Sequence, residues 1–363
     1  MARESTLEDL ELFLLEVMED RRRGPGPDVL RALATGASWF FAGGAHLRIW
    51  LYEHGVIKRR RGPLPVISVG NLTAGGTGKT PFVSYIARGL SSQNHKPAIL
   101  ARGYRARTKG TANDELLMLS RQLPDLLTVA NPNRLSGCMR AREEGADVAL
   151  LDDGFQHLAL ERDLDILLVD ATRPFGNGYL LPRGTLREPA DHARRADIVV
   201  LTRVDLAGLG PVGELRTWLG RLKPGVPVIE CSFRPRQLRP LTDRGEAIPA
   251  EELSGRRVAA FAALASPRGF GRTLRAQGAT VVYSRRFRDH HNYSAADLAA
   301  VVGEAGAAGA EMLVTTEKDA VKLEELPAPD LPLYYLTIET EVENGEDFLW
   351  AEVGRAVSSF NRG

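Results

Sequence analysis

The stretch Pro65–Pro81, PVISVGNLTAGGTGKTP, constrains the fold more than any other part of this chain. A β-branched apolar run (Val66, Ile67, Val69) leads straight into a glycine-rich turn that closes with Gly78-Lys79-Thr80. That order predicts a strand, a phosphate-binding loop and a helix N-terminus in immediate succession. Small residues let backbone N–H groups turn inward around a phosphate, and the helix dipole adds positive potential there. Lys79 is spaced to reach β- and γ-phosphates, and the Thr80 hydroxyl to ligate Mg²⁺. Thr73, Ala74, Gly75, Gly76, Thr77, Gly78, Lys79 and Thr80 are therefore the candidate nucleotide cradle. The strict pattern has Gly where this chain has Thr73, so the loop is a variant in which Gly75 and Gly76 supply the flexibility.

At 363 residues the chain has room for about two domains. A hydrophobic share of 44% and a charged share of 26% are those of a soluble globular protein, and a net charge of +1 gives no drive toward nucleic acid. Two scattered cysteines, Cys138 and Cys231, suit buried thiols in a reducing compartment better than a disulfide or metal site. No segment has the ~20 uninterrupted apolar residues of a transmembrane helix. The acidic N-terminus (Glu4, Glu8, Asp9, Glu11) is unlike a secretory signal.

Residues 5–19 read as a short amphipathic helix, with Ser5 and Glu8 as a capping box and Leu7, Leu10, Leu14 and Met18 on one side. A second helix is expected from Val29 to Glu53. Between Ala32 and Leu47 it carries no carboxylate, Lys or Arg, and Leu33, Ala37, Phe40, Gly44, Leu47 and Leu51 follow helical spacing. Arg21–Arg23 and Lys58–Arg61 flank it. Such a helix suits an anionic membrane surface; packing into the protein core with a solvated basic loop after it is the alternative.

Beyond Pro63, strands are expected at 65–69, 97–101, 147–152, 164–169, 197–202 and 227–231, with helices at 80–90 and 114–123 among them. A second alternation places strands at 257–262, 279–283, 311–316 and 333–338 around helices near 267–277 and 294–308. This pattern implies an α/β fold with a mostly parallel sheet covered on both faces, and a second, smaller α/β lobe. The expected division is 1–62, an N-terminal helical membrane-associating segment; 63–235, a nucleotide-binding core; and 236–363, a C-terminal lobe. Arg234–Pro249, with three prolines, is expected to cross between the lobes.

Val148–Asp153 is an apolar strand ending in carboxylates, the arrangement that carries an acid to Mg²⁺ beside a phosphate loop; an Asp-Asp-Gly turn is the plainer explanation. Asp152 and Asp153 are not ranked by sequence, and Asp170 competes with both. Asn113-Asp114-Glu115 opens a helix, where Asp114 is either a cap or an acceptor of the proton of an attacking hydroxyl. Asp289-His290-His291 has no third ligand at zinc spacing; its imidazoles suit a loop, or polarisation of a carboxylate or hydroxyl. Thr202-Arg203-Val204-Asp205 is a weak match to a base-reading turn. Thr315–Asp319 reads most simply as a helix cap. In Leu181–Glu188, Arg183 or Arg187 either meets a phosphate or braces the loop.

Together these segments resemble one family. GNLTAGGTGKTP, Asn113-Asp114-Glu115, DDGFQH at 152–157, LPRGTLREP at 181–189, DHHNY at 289–293 and TTEKDAVKL at 315–323 occur in the order found in tetraacyldisaccharide 4′-kinases, the lipid A 4′-kinases. The loop with Thr73 matches that family's form, whereas Asn113 stands where the family usually has Gly, and residues 1–27 extend beyond the common core. The resemblance implies transfer of the ATP γ-phosphate to the 4′-hydroxyl of tetraacyldisaccharide 1-phosphate, giving lipid IVA in lipopolysaccharide biosynthesis. It implies ATP and Mg²⁺ as cofactors and a peripheral, monotopic site of action on the cytoplasmic face of the bacterial inner membrane. The implied partners are the lipid A disaccharide precursor and an anionic membrane surface, with no nucleic acid and no obligate protein partner. By the same resemblance Asp114 and His290, rather than His291, form the catalytic pair beside Lys79, and Thr80, Asp152, Asp153 and Glu115 support the metal. The rival reading is a P-loop switch or chaperone NTPase that binds a protein partner, for which Asp205 is the best support.

Overall fold

The computed structural model describes residues 13–14, 16–18, 20–103, 114–123, 125–241, 246–263, 267–288 and 291–360. The expected capping box at Ser5 and Glu8 lies outside them, as do Asn113, Asp289 and His290. Of Asp114 only the backbone is described.

The first helix, α1, runs Pro25–Glu53. Strand β1 (Val66–Asn71) then leads through the glycine-rich turn into α2 (Lys79–Ser92), as expected from the sequence. The chain continues through β2 (Pro97–Ala101), α3 (Asp114–Gln122), β3 (Leu127–Ala130), α4 (Arg134–Glu143), β4 (Val148–Asp152), β5 (Leu164–Asp170) and β6 (Ile198–Thr202). Two helices, α5 (Val204–Ala207) and α6 (Leu209–Leu222), precede β7 (Val228–Pro240). After β8 (Ile248–Pro249) come β9 (Arg257–Ala262), α7 (Pro267–Ala276), β10 (Thr280–Arg286), α8 (Ala295–Ala307), β11 (Met312–Thr316), α9 (Glu317–Leu323), β12 (Leu333–Asn344) and α10 (Glu346–Phe360).

All these strands join one sheet, ordered β10-β9-β11-β12-β7-β6-β5-β1-β4-β2-β3, with β8 beside β7. Pairing is parallel from β3 to β7 and again from β12 to β10; only β7 with β12 and β8 runs antiparallel. Within Arg234–Pro249, Arg234–Pro240 is the end of strand β7 and Ile248–Pro249 is β8. Position 235 lies inside β7, whose ladder with β12 joins the two parallel halves. Proline is tolerated there because the ladder shifts register between Thr337 and Ile338.

Alternation along the central strands assigns each face its own core. Ile67, Val69 and Leu150 face α2, α3 and α10, meeting Phe82, Ile86, Leu116, Leu349 and Val353. Val66, Ala149 and Leu151 face the other way, toward Cys138 and Ala141 of α4. Burial on both faces is why these strands read as unbroken apolar runs. The sequence prediction did not extend to β3, α4, α6 or α10.

Candidate active site

Registration of β1 against β4 pairs Val69 with Asp152. The carboxylates therefore emerge at the same C-terminal sheet edge as the glycine-rich loop, where α/β sheets bind ligands. Gly78, the residue before α2, has φ +87°, and a Cβ there would lie 1.9 Å from the Phe233 ring. Only glycine fits that conformation and that approach. Gly75, at φ +128°, and Gly76 have open space where a side chain would stand. Thr73 pairs with Leu186, and Ala74 N–H donates to the Thr185 carbonyl at 2.6 Å. Across the loop, Thr202 donates to the Thr77 carbonyl at 3.0 Å and Arg203 to the Gly76 carbonyl at 2.9 Å. The variant loop is thus held from both sides by other segments.

Lys79 Nζ donates to Asn71 Oδ1 at 3.1 Å and stands 3.5 Å from Asp153. Arg187 grips Asp153 through two parallel hydrogen bonds of 2.8 Å and also reaches Asn71 Oδ1. Asp153 takes a left-handed conformation, φ +56°, which turns its carboxylate toward these cations. Its surroundings oppose the charge, yet Lys79 and Arg187 prevail and hold its proton affinity well below the usual carboxylate range. Asp152 is the reverse case. Burial first, then the nearby charges of Glu115 and Asp153, push it up to about 7, against the pull of Lys79 and Arg134. Its Oδ1 is buried without a hydrogen-bond partner.

Arg134, buried at the start of α4, faces this acidic pair; burial lowers it to about 10 while Asp152 and Asp153 pull it upward. Sequence reasoning passed over it, because Asn-Pro-Asn-Arg reads as a turn and helix cap, and Asn133 does cap α4 through Ser136 N–H at 3.2 Å. A lone Arg in a capped first turn carries no signal of what it faces.

The other candidates separate. Asp170 accepts from Thr172 N–H at 3.0 Å and from Arg203, so its carboxylate is engaged in bracing the Arg203 turn. Arg183 points away from the site, buried over Tyr179 and bonded to Asp20 at 2.7 and 2.8 Å. Thr316 caps α9, and Asp319 accepts from Thr316 Oγ1 at 2.7 Å and Ala263 N–H at 3.1 Å, which ties β9 to α9. His291 Nε2 lies 3.1 Å from Asp297, within the capping box of α8, and its ring stacks on Phe287. Cys138 and Cys231 are free, buried thiols, raised to about 11 and about 12 by burial.

Residues 30–355 match the family model for tetraacyldisaccharide-1-P 4′-kinase. The chain belongs to that family. It is 41% identical over 360 residues to the tetraacyldisaccharide 4′-kinase of Anaeromyxobacter sp. (strain K), covering 93% of this chain and 94% of that one. The enzyme of the same name from Syntrophus aciditrophicus is 39% identical over 351 residues, covering 89% and 94%. Among solved structures, LpxK from Aquifex aeolicus in complex with ATP superposes with a TM-score of 0.72 at 31% identity, covering 90% of this chain and 99% of that one. Membership decides for the kinase class over the switch or chaperone NTPase.

Proposed function

We propose that this chain transfers the γ-phosphate of ATP to the 4′-hydroxyl of tetraacyldisaccharide 1-phosphate, the lipid A disaccharide precursor, at the cytoplasmic face of the inner membrane. The observation that carries the reading is the convergence of Lys79 and Arg187 on Asp153 and Asn71 at the mouth of the glycine-rich loop. Lys79 and the loop N–H groups stabilise phosphate charge, and Arg187 orients the acidic pair and adds charge beside the transferring group.

The acidic pair fits Mg²⁺. Asp152 offers a buried oxygen without a partner, whereas Asp153 is saturated by Lys79 and Arg187. Asp152 and Thr80 would hold the ion, with Glu115 and Asp153 behind them. The ion would take its remaining ligands from phosphates and water. When bound, Mg²⁺ neutralises charge on the β- and γ-phosphate oxygens.

Asp114 at the start of α3 takes the proton of the acceptor hydroxyl, assisted by His290 from the 236–363 lobe. His291 is already held by Asp297 and Phe287, which supports giving that role to its neighbour. The C-terminal end of α3 meets the 236–363 lobe where Gln122 donates to Glu317 at 2.7 Å.

α1 associates with the membrane. Its inner face docks through buried Ser38 and Ile49, while Trp39 is 74% and Phe40 87% exposed, with Leu33 and Leu47 beside them. The regularly spaced apolar stripe faces outward, which supports lipid contact over core packing. No described helix is long and apolar enough to cross a bilayer.

The test is transfer of labelled γ-phosphate from ATP to the disaccharide precursor in detergent micelles. Lys79→Ala should abolish it, a loss of roughly 3 kcal/mol or more of transition-state stabilisation, with the fold retained. Turnover of Lys79→Ala within a few-fold of wild type overturns the assignment.

A further inference from the structure

Two side-chain contacts of α1 lead to the loop carrying Arg187. Ser38 Oγ, buried, accepts from Arg183 N–H at 3.1 Å and lies 2.7 Å from the Leu180 carbonyl. Eight residues on, His46 Nδ1 lies 3.1 Å from Nε2 of His192, with the rings edge to face at 4.8 Å. His192 is buried, and its Nδ1 lies 3.2 Å from Glu188 Oε2, which also receives Arg195. The Glu188 carboxylate accepts a hydrogen bond from His192 Nδ1, and His192 Nε2 shares one hydrogen bond with His46 Nδ1, so the contacts link His46, His192 and Glu188 in series. Glu188 directly follows Arg187. A third contact, Arg48 to the Gln156 carbonyl at 3.0 Å, reaches a residue whose side chain donates to the Asn71 carbonyl at 2.9 Å.

We infer that Ser38, His46 and His192 are positioning residues for phosphoryl transfer: helix α1, seated on the Leu180–Glu188 loop, holds Arg187 on Asp153 and Asn71. The inference rests on the kinase reading above. Arg187 N–H donates to the Leu72 carbonyl at 2.7 Å, so its backbone is anchored to the phosphate-loop side already. What α1 adds is the other edge of the loop. Without it, residues 180–184 lose the hydroxyl that pairs Leu180 with Arg183, and His192 loses the His46 ring that seats it against Glu188. A displacement of about 1 Å at a positioned charge is enough to lower turnover markedly. The same helix that meets lipid thereby touches the catalytic loop directly, with no intervening domain.

The experiment uses the full chain and micellar disaccharide acceptor. Wild-type transfer tests the kinase reading; the inference is read from ratios of variant to wild type. Ser38→Ala removes one oxygen and keeps a good helix former, so its melting temperature is a check on folding. His46→Ala and Ser38→Ala should each lower kcat by roughly tenfold, the scale of one lost hydrogen bond to a buried partner, with KM for ATP and vesicle co-sedimentation unchanged. His46→Asn, whose amide nitrogen stands where Nδ1 stood, should recover kcat to within about threefold of wild type. In an Arg187→Lys background, His46→Ala should have little further effect, because both changes disturb one contact. Wild-type kcat in both alanine variants overturns the inference. So does a loss from His46→Ala that multiplies fully onto that of Arg187→Lys.

Discussion

Asp152 and Asp153 are neighbours in the chain and opposites in proton affinity. Asp152 ends a buried strand and is raised to about 7, whereas Asp153, turned to φ +56°, is held low by Lys79 and Arg187. Two carboxylates in one site divide this way when only one of them is bonded directly to cations and the other is dominated by burial. On the proposed reading, a metal held by Asp152 would have to displace its proton.

Binding of Mg²⁺ with nucleotide should therefore strengthen as pH rises through about 7, with release of a proton. The sign for the free protein is the opposite. The folded state holds the Asp152 proton more tightly than the unfolded chain, so this group's contribution to stability falls as pH rises from about 4 to about 7. Calorimetric titration of Mg-nucleotide in buffers of different ionisation heat checks the proton count. Asp152→Asn should bind weakly at every pH without the slope; an unchanged slope in that variant assigns the proton elsewhere.

The two arginines of one loop should give opposite phenotypes. Arg187→Ala should lower kcat by about a hundredfold or more, the scale for one preorganised charge, with little change in melting temperature. Arg183→Ala should retain most of kcat and lose about 1–2 kcal/mol of stability, through its buried stem and its bonds to Asp20. Kinetics and thermal denaturation on both variants decide it; a reversed pattern overturns the division of roles.

Gly78→Ala should weaken nucleotide binding at least tenfold. It combines a strained φ of +87° with a Cβ placed 1.9 Å from Phe233, and strain at such positions costs of order 1–3 kcal/mol. Adding Phe233→Ala relieves the clash and leaves the backbone strain, so recovery should be partial. Full recovery of affinity for a fluorescent nucleotide analogue would make the clash the whole effect.

Much of this was legible in the sequence, for physical reasons that differ by element. Strands β1, β2, β4, β5 and β6 announced themselves as apolar runs because both faces are buried, and the glycine-rich loop because so few residues can turn there. β3 escaped notice because its four residues are mostly half-buried and show neither a run nor an alternation. α10 lies after the last motif, yet Leu349 and Val353 complete the core over β1 and β5. Arg134 and His192 escaped because what they face is supplied by segments distant in sequence. The split between Arg183 and Arg187 was likewise invisible, since only the path of the loop decides which one turns inward.

His290 and His291 should separate cleanly. His291→Ala should keep kcat within a few-fold and cost about 1 kcal/mol of stability, because it loses the bond to Asp297 and the stack on Phe287. His290→Ala and Asp114→Ala should each lower kcat strongly with a modest effect on KM for ATP, and the double variant should be little worse than the worse single one. Fully multiplicative losses would mean that they act separately. A larger kcat loss from His291→Ala would reverse the choice between the histidines.

Replacing Trp39, Phe40 and Phe41 with Ser should reduce vesicle binding and turnover on the acylated acceptor while leaving nucleotide affinity intact. All three are exposed, so the substitution opens no cavity, and melting temperature should barely change. Salt should weaken binding as well, at about 1 kcal/mol for each basic residue near an anionic surface. That slope should be shallower than the flanking clusters suggest. Arg22 pairs with Glu16 at 2.9 Å, and Arg61 with Glu161 at 3.1 Å and with the Phe360 ring, so part of the charge is already engaged. Co-sedimentation with anionic vesicles across a salt series, alongside micellar turnover, measures both effects. Unchanged sedimentation and turnover in the triple variant would leave α1 as a brace for the Arg187 loop with no role in lipid contact.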